Sequence, residues 1–161
     1  MALTYEAIGT TTVSTAVTSV SFTSIPATYD DLVLISNASY TSGSGDLNIR
    51  FNSDSGASQY AYVRQINGSP ISISVSTGSS SLVVSDNTVN SIQICDVFEY
   101  KNTGVFKTFL HKGGNVTNQI GGTVGVWKSN TAITTVTFHP EFSGTTWSTG
   151  STFTIYGIKK A

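Results

Sequence analysis

The stretch Leu47-Asn-Ile-Arg-Phe-Asn-Ser-Asp-Ser-Gly56 decides the fold of this sequence. Its first half alternates apolar and polar residues with a period of two, which is the pattern of a half-buried β-strand. Its second half is rich in Asn, Asp, Ser and Gly, which favour tight turns. The stretch therefore predicts a strand followed by a turn.

The same combination recurs along the chain. Alternating runs include Val20-Ser-Phe22, Ile71-Ser-Ile-Ser-Val75 and Ser91-Ile-Gln-Ile-Cys-Asp-Val-Phe98, and turn residues separate them. Turns at intervals of about 8–15 residues are typical of β-sandwiches and jelly rolls. We therefore predict an all-β protein, an antiparallel, jelly-roll-like β-sandwich of about ten short strands.

The composition favours the same fold class. Only 11% of the 161 residues are charged, whereas Ser and Thr supply 24 residues each. Such a chain is poor in the residues that form helices best, and its Val, Ile, Thr, Tyr and Phe suit strands. The length fits one domain with its own core. We predict a single sandwich over residues 1–161, with an extended N-terminal arm over residues 1–16.

Apolar residues in this arm suggest a contact. Leu3, Tyr5, Ile8 and Val13 are apolar, Gly9-Thr-Thr-Thr12 interrupts them, and no tight turn folds the segment back as a hairpin. A terminus stays ordered when a sheet or a partner holds it, and adding a strand to a neighbour's sheet is a common way to do so. We expect these four residues to make an assembly contact; the alternative is an edge strand of the chain's own sandwich.

Charge excludes two classes of partner. The formal net charge is −1, and the Lys and Arg residues are scattered singly. Nucleic acids and anionic membranes both require clustered basic residues. No apolar run approaches the ~18 residues of a membrane span, and no signal peptide opens the chain. We expect a protein made in the cytoplasm that binds neither nucleic acid nor membrane.

Residues that could carry chemistry are few and dispersed. Cys95, His111 and His139 are too sparse for a zinc site, which needs three or four ligands. Glu99 and Glu141 have no spacing that predicts a catalytic carboxylate pair, and no serine stands in a nucleophile elbow. We expect no enzymatic activity, no metal and no cofactor, and a buried structural role for Cys95.

One loop and two aromatic residues could contact a ligand. The loop 52–56 could offer oxygens to calcium, but an Asx-turn is favoured because spaced acidic ligands are lacking. Tyr40 and Trp147 fall at strand ends or in loops, where they could contact a sugar or another subunit.

The predicted core residues, each on the apolar side of an alternating strand, are Leu47, Ile49, Phe51, Ile92, Ile94, Phe138 and Phe153.

Four stretches resemble β-sandwich modules in structural proteins of tailed bacteriophages. They are Ser24-Ile-Pro-Ala-Thr-Tyr-Asp-Asp-Leu-Val-Leu-Ile35, Leu47-Asn-Ile-Arg-Phe-Asn52 with Tyr60-Ala-Tyr62, Val126-Trp-Lys-Ser-Asn-Thr-Ala-Ile-Thr-Thr-Val-Thr-Phe138, and Gly150-Ser-Thr-Phe-Thr-Ile-Tyr-Gly-Ile158. Such modules occur as capsid-decorating proteins and as parts of tail or fibre proteins. The matching motifs are strands and turns, so no functional residue is carried over.

The resemblance implies a non-enzymatic structural protein of a virion, an oligomeric protein that decorates or cements a capsid. Its partners would be itself, as a homo-oligomer with a trimer favoured, and a major capsid or tail protein. The alternative is a tail-associated or receptor-binding module that contacts carbohydrate. A polysaccharide-degrading or calcium-dependent lectin-like domain is a third reading, from another functional class.

Overall fold

A computed structural model describes residues 3–42, 45–67, 72–79, 81–86, 90–116 and 119–160. Their regular structure is entirely β, without a helix. Consequently no helix in these ranges is long and apolar enough to cross a membrane. The predicted all-β class is confirmed.

Fourteen strands lie in these ranges. They are β1 (Leu3–Thr12), β2 (Val20–Phe22), β3 (Asp31–Ala38), β4 (Tyr40–Ser42), β5 (Asp46–Phe51), β6 (Tyr60–Ile66), β7 (Ser72–Ser79), β8 (Leu82–Asp86), β9 (Ser91–Phe98), β10 (Lys107–Asn115), β11 (Ile120–Trp127), β12 (Val136–Pro140), β13 (Thr146–Trp147) and β14 (Thr152–Lys160).

The strands form two main sheets and a small ribbon. The large sheet has the order β1-β14-β3-β9-β10-β11-β6-β7, and the small sheet has the order β2-β12-β5-β8. Strands β4 and β13 pair as the ribbon, and the strand pairs are antiparallel. The antiparallel β-sandwich is confirmed, whereas the jelly-roll likeness stays a prediction.

Aromatic side chains fill much of the space between the sheets. The Phe51 and Trp127 rings lie with centroids 5.6 Å apart, which joins β5 of the small sheet to β11 of the large one. Phe138 and Phe153 make a similar contact at 5.0 Å between β12 and β14. Each buried aromatic removes about 150–250 Å² from water, so these pairs hold the two sheets together.

The N-terminal segment is a strand of the large sheet. Strand β1 pairs with β14 from Leu3 opposite Lys160 to Thr12 opposite Thr152, with a bulge between Ala7 and Gly9. Residues 3–12 are therefore the edge strand of the chain's own sandwich, and the prediction of an arm extending from the domain is wrong. The alternative, an edge strand of the chain's own sandwich, is confirmed, and β14 provides the backbone hydrogen bonds that hold the segment.

Most of the predicted core residues are buried as expected. Leu47, Ile49 and Phe51 on β5 are buried, as are Phe138 on β12 and Phe153 on β14. The buried position of Cys95 is also confirmed, and burial raises the pKa of its thiol. The two exceptions, both on β9, lie on the opposite side of the large sheet.

Candidate assembly surface

Strand β9 turns its isoleucines away from the core. Ile92 is 56% exposed and Ile94 is half-buried, so their assignment to the core was wrong. The reason lies in the neighbouring strand β3, where Leu34 faces the interior and pairs with Cys95. Residues directly opposite each other on neighbouring strands share a face. Cys95 therefore faces the core, and the isoleucines at even positions face outward.

The neighbouring strands have the same inverted polarity. On β10, Lys107 and His111 are buried while Leu110 points outward. On β6, Arg64 points inward and bonds Asp46 at 2.6 Å, while Val63 is exposed. This part of the large sheet thus buries several polar groups beside apolar core residues such as Phe109 and Trp127, and it also exposes aliphatic side chains, which a solvated sheet face does not require.

The buried polar groups are themselves held in place. The Nε2 atom of His111 lies 2.6 Å from Gln93 Oε1 on β9. Burial, together with the charge of Arg64, lowers the pKa of His111 to about 3, so the ring is neutral at physiological pH. The ammonium group of Lys107 donates to the carbonyl oxygens of Asn102, at 2.5 Å, and Val105, at 2.9 Å. These contacts stabilise polar side chains in the interior.

On the outward side, apolar residues form a continuous row across four strands. Val75 of β7 pairs with Val63 of β6, which pairs with Val124 of β11, which pairs with Leu110 of β10. We call the outward side of β9, β10, β11, β6 and β7 the outer face. Its most exposed aliphatic side chains on these last four strands are Leu110 (41%), Val63 (49%), Val124 (59%), Ile73 (66%), Ile120 (67%) and Val75 (68%).

A shallow recess lies in the middle of the outer face. Its volume is about 590 Å³, and its lining includes Gly121, Gly122, Val63, Ile120 and Lys112. Gly122 stands in the ladder between Lys112 of β10 and Gln65 of β6. Because glycine has no side chain, backbone forms the floor at this point while aliphatic side chains form the walls.

The outer face carries almost no net charge. Within the described parts of its five strands, Lys112 and Asp96 are the charged side chains that point outward, and Lys112 Nζ lies 3.7 Å from Asp96 Oδ2. Lys128, just after β11, bonds the Thr77 carbonyl oxygen of β7 at 2.6 Å. The pair of Lys112 and Asp96 is partly exposed, so it adds little to stability. It does make the two charges cancel locally, which leaves an apolar, neutral surface.

The two aromatics predicted as contact residues lie elsewhere. Tyr40 and Trp147 are buried, on the β4–β13 ribbon, with ring centroids 4.8 Å apart. The prediction that they form exposed loop aromatics is therefore wrong. The ribbon pairs segments about 100 residues apart, and the local sequence gave no sign of this pairing.

The four apolar residues predicted to form an N-terminal assembly contact lie in different environments. Tyr5 is exposed, Ile8 packs against the core and Val13 is buried. Leu3 pairs with Lys160 in the backbone ladder, and its side chain lies outside the described part. Tyr5 is thus the residue of this set that is placed to contact a neighbour.

Groups considered for metal binding or catalysis do not converge. His111 lies on β10 of the large sheet and His139 on β12 of the small one. In the ranges that the structure describes, no three His, Cys, Asp or Glu side chains are placed to share a metal ion. The Gly56 N–H donates to Asp54 Oδ1 at 3.0 Å, as the favoured Asx-turn requires, and the indole N–H of Trp127 donates to Asp54 Oδ2 at 2.8 Å.

The sequence matches no protein-family model, and it matches no curated protein.

Proposed function

We propose that this chain is a non-enzymatic structural protein of a bacteriophage virion, an oligomeric protein that decorates or cements the capsid. The observation that carries the proposal is the neutral, apolar outer face of the large sheet. A subunit that functions within an assembly needs an apolar surface for contact with other subunits, whereas a free monomer does not.

The cost of exposing this face supports a role in assembly. Val63, Val75 and Val124 lie side by side, each about half exposed or more. Isolated exposed aliphatic residues are ordinary, but contiguous apolar patches larger than a few hundred Å² mark interaction sites. The inward orientation of Lys107 and His111 on the adjoining strand strengthens the argument. On this strand Leu110 is exposed while two polar side chains are buried beside Phe109.

The virion setting comes from the resemblance to phage β-sandwich modules. Its stretches overlap strands β3, β5 and β14. The proposed partners are other copies of the chain, with a trimer favoured, and a major capsid or tail protein. Sugar binding through Tyr40 and Trp147 has lost its support because both rings are buried.

Counting copies in purified particles tests the proposal. Quantitative mass spectrometry against isotope-labelled peptides would give the ratio of this chain to the major capsid protein. A capsid decoration protein should be present in hundreds of copies per particle. A handful of copies would favour the tail-associated alternative, and absence from particles would overturn the virion role.

A further inference from the structure

We infer that the outer face is covered by a second copy of this chain, so that it is the surface through which the protein self-associates. This inference rests on the proposed role as an oligomeric subunit, and it names the surface and the occupant. The alternatives are contact with the capsid shell alone and contact with an unrelated protein.

The size of the outer face suits an interface between subunits. Five strands spaced by about 4.8 Å span about 24 Å, and six residues along each strand span about 20 Å, which gives about 480 Å². A standard interface buries about 800 Å² per partner, with an apolar centre and a polar rim. The outer face would supply that centre, and Thr108 near the beginning of β10 is a polar residue available for the rim.

The charge of the face favours a neutral, apolar partner. Asp96 and Lys112 offset each other at 3.7 Å, and Arg64 points inward to Asp46. Lys128, which follows β11, directs its ammonium group to the Thr77 carbonyl oxygen of β7 at 2.6 Å. A charged partner would find no complementary surface here. Another copy of this same face would bring no like-charge repulsion beyond one neutral pair, so the face is electrostatically self-compatible.

The shape of the face provides both halves of a contact. Ile73 and Val75 project from β7, the terminal strand of the sheet, and are exposed by 66% and 68%. The recess above Gly122 lies two strands away, at about 10 Å. A ridge and a recess on one surface allow the ridge of one copy to enter the recess of the next. Because the two faces are identical, the ridge of each copy enters the recess of the other, which is a two-fold contact.

The two terminal strands of the large sheet differ in a way that supports this placement. Strand β7, residues 72–79, contains no charged residue and no proline. Its pairing with β6 has a register shift between Tyr60 and Tyr62, and β1 at the other end has a similar shift at Ala7/Gly9. Strand β1 differs in its Glu6 carboxylate, which lies 3.0 Å from Lys159 Nζ. Charges and bulges normally protect terminal strands from pairing with other chains. Strand β7 lacks the charges, as expected of a strand that lies inside an assembly.

The experiment is to measure oligomeric state by analytical ultracentrifugation for the full chain and three variants. Val124→Glu places a charge at the centre of the outer face. Val105→Glu is the matched control, because Val105 is exposed to a similar degree but lies in the β9–β10 connection, away from that face. Val124→Thr keeps the side-chain shape and the preference for strand structure, so it tests the surface even where Val124→Glu fails to fold.

We expect an oligomer of the unchanged protein at micromolar concentration. The apparent dissociation constant should rise at least 100-fold for Val124→Glu and at least tenfold for Val124→Thr, and should stay within threefold for Val105→Glu. Circular dichroism and thermal melting identify any variant that has unfolded. A monomeric wild type at 100 µM would overturn the inference, as would an undisturbed Val124→Thr oligomer or equal dissociation by Val105→Glu.

The two proposals fail separately. If particles hold few copies of the chain but Val124→Glu still dissociates the oligomer, the self-association surface stands and the decoration role does not. If copies are abundant but the isolated protein is monomeric, the decoration role stands. The outer face would then be a contact with another virion protein, and the inference of a second copy would be wrong.

Discussion

Tyr40 and Trp147 stack in the interior, with ring centroids 4.8 Å apart and ring planes 30° from parallel. Trp147 also contacts Phe153 of the large sheet at 5.1 Å. The ribbon that carries the two residues is therefore fastened to the core through their rings. The pair stabilises the sandwich, and it offers no surface to a ligand.

Replacing Trp147 by Ala should destabilise the protein strongly. The indole is fully buried, and truncating a buried Phe or Trp to Ala typically costs about 3–5 kcal/mol. Urea denaturation followed by circular dichroism would measure the loss in free energy of unfolding. Phe106→Ala is the control, because that ring is exposed and its removal should cost less than about 1 kcal/mol. Equal effects of the two substitutions would contradict the buried position of Trp147.

Stability should fall as the pH decreases from 7.5 to 5, because His111 is buried in its neutral form. Its pKa is about 3 in the folded chain, against an ordinary value of 6.5 that applies when the chain is unfolded. Below pH 6.5 the unfolded state therefore binds more protons, so stability is lost as the pH falls and continues to fall until the folded pKa is reached. The expected loss from His111 by pH 5 is about 2 kcal/mol.

His111→Gln isolates this contribution. The variant removes the titrating ring, so its free energy of unfolding should depend less on pH between 7.5 and 5. The difference in slope from the unchanged protein should correspond to the uptake of up to roughly one proton per molecule on unfolding. Carboxyl groups ordinarily titrate below this interval, and the pKa of Glu6 is lowered further by Lys159. Burial also lowers the pKa of His139, so some dependence should remain in the variant. An unchanged pH slope would show that His111 is not buried as a neutral group.

Gly157→Ala should destabilise the protein by about 1–3 kcal/mol through overpacking. The Tyr29 ring lies directly over the glycine, and a methyl group at position 157 would lie 2.2 Å from Tyr29 Cγ. The ring is held there by a bond from its hydroxyl to Glu6 Oε2 at 3.1 Å. Thermal denaturation would measure the change. At Gly104 a methyl group meets only Asn102 Oδ1, at 3.3 Å, so Gly104→Ala should be nearly neutral.

Much of the fold could be predicted from the sequence because alternation is a local property. Strand β5 is an example: its residues Leu47, Ile49 and Phe51 are apolar and face inward, and the turn that follows the strand is polar. In strand β9 both faces carry apolar residues, so alternation separates the two faces without deciding which one is inside. The decision comes from Leu34 on the neighbouring strand, a contact between distant parts of the chain.

The candidate surface could not be predicted for the same reason. Val63, Val75, Val124 and Leu110 come from four separate parts of the sequence, and only the strand order brings them into one row. The sequence around Trp147 also predicts a loop, because no neighbouring residue indicates its pairing with β4. The information lay in long-range pairing, which fixes both the register and the face of each strand.

The role of strand β1 in assembly can be separated from its role in folding. Deleting residues 2–12 removes nine residue pairs between β1 and β14. The truncated chain should therefore have a lower free energy of unfolding, in addition to any loss of assembly. Tyr5→Glu is the sharper change, because Tyr5 is 60% exposed and its replacement should leave the melting temperature nearly unchanged. If the edge strand contacts a neighbour, Tyr5→Glu should weaken the oligomer while Tyr5→Phe does not. If Tyr5→Glu dissociates the oligomer and Val124→Thr leaves it intact, the subunit contact lies at β1 and not on the outer face.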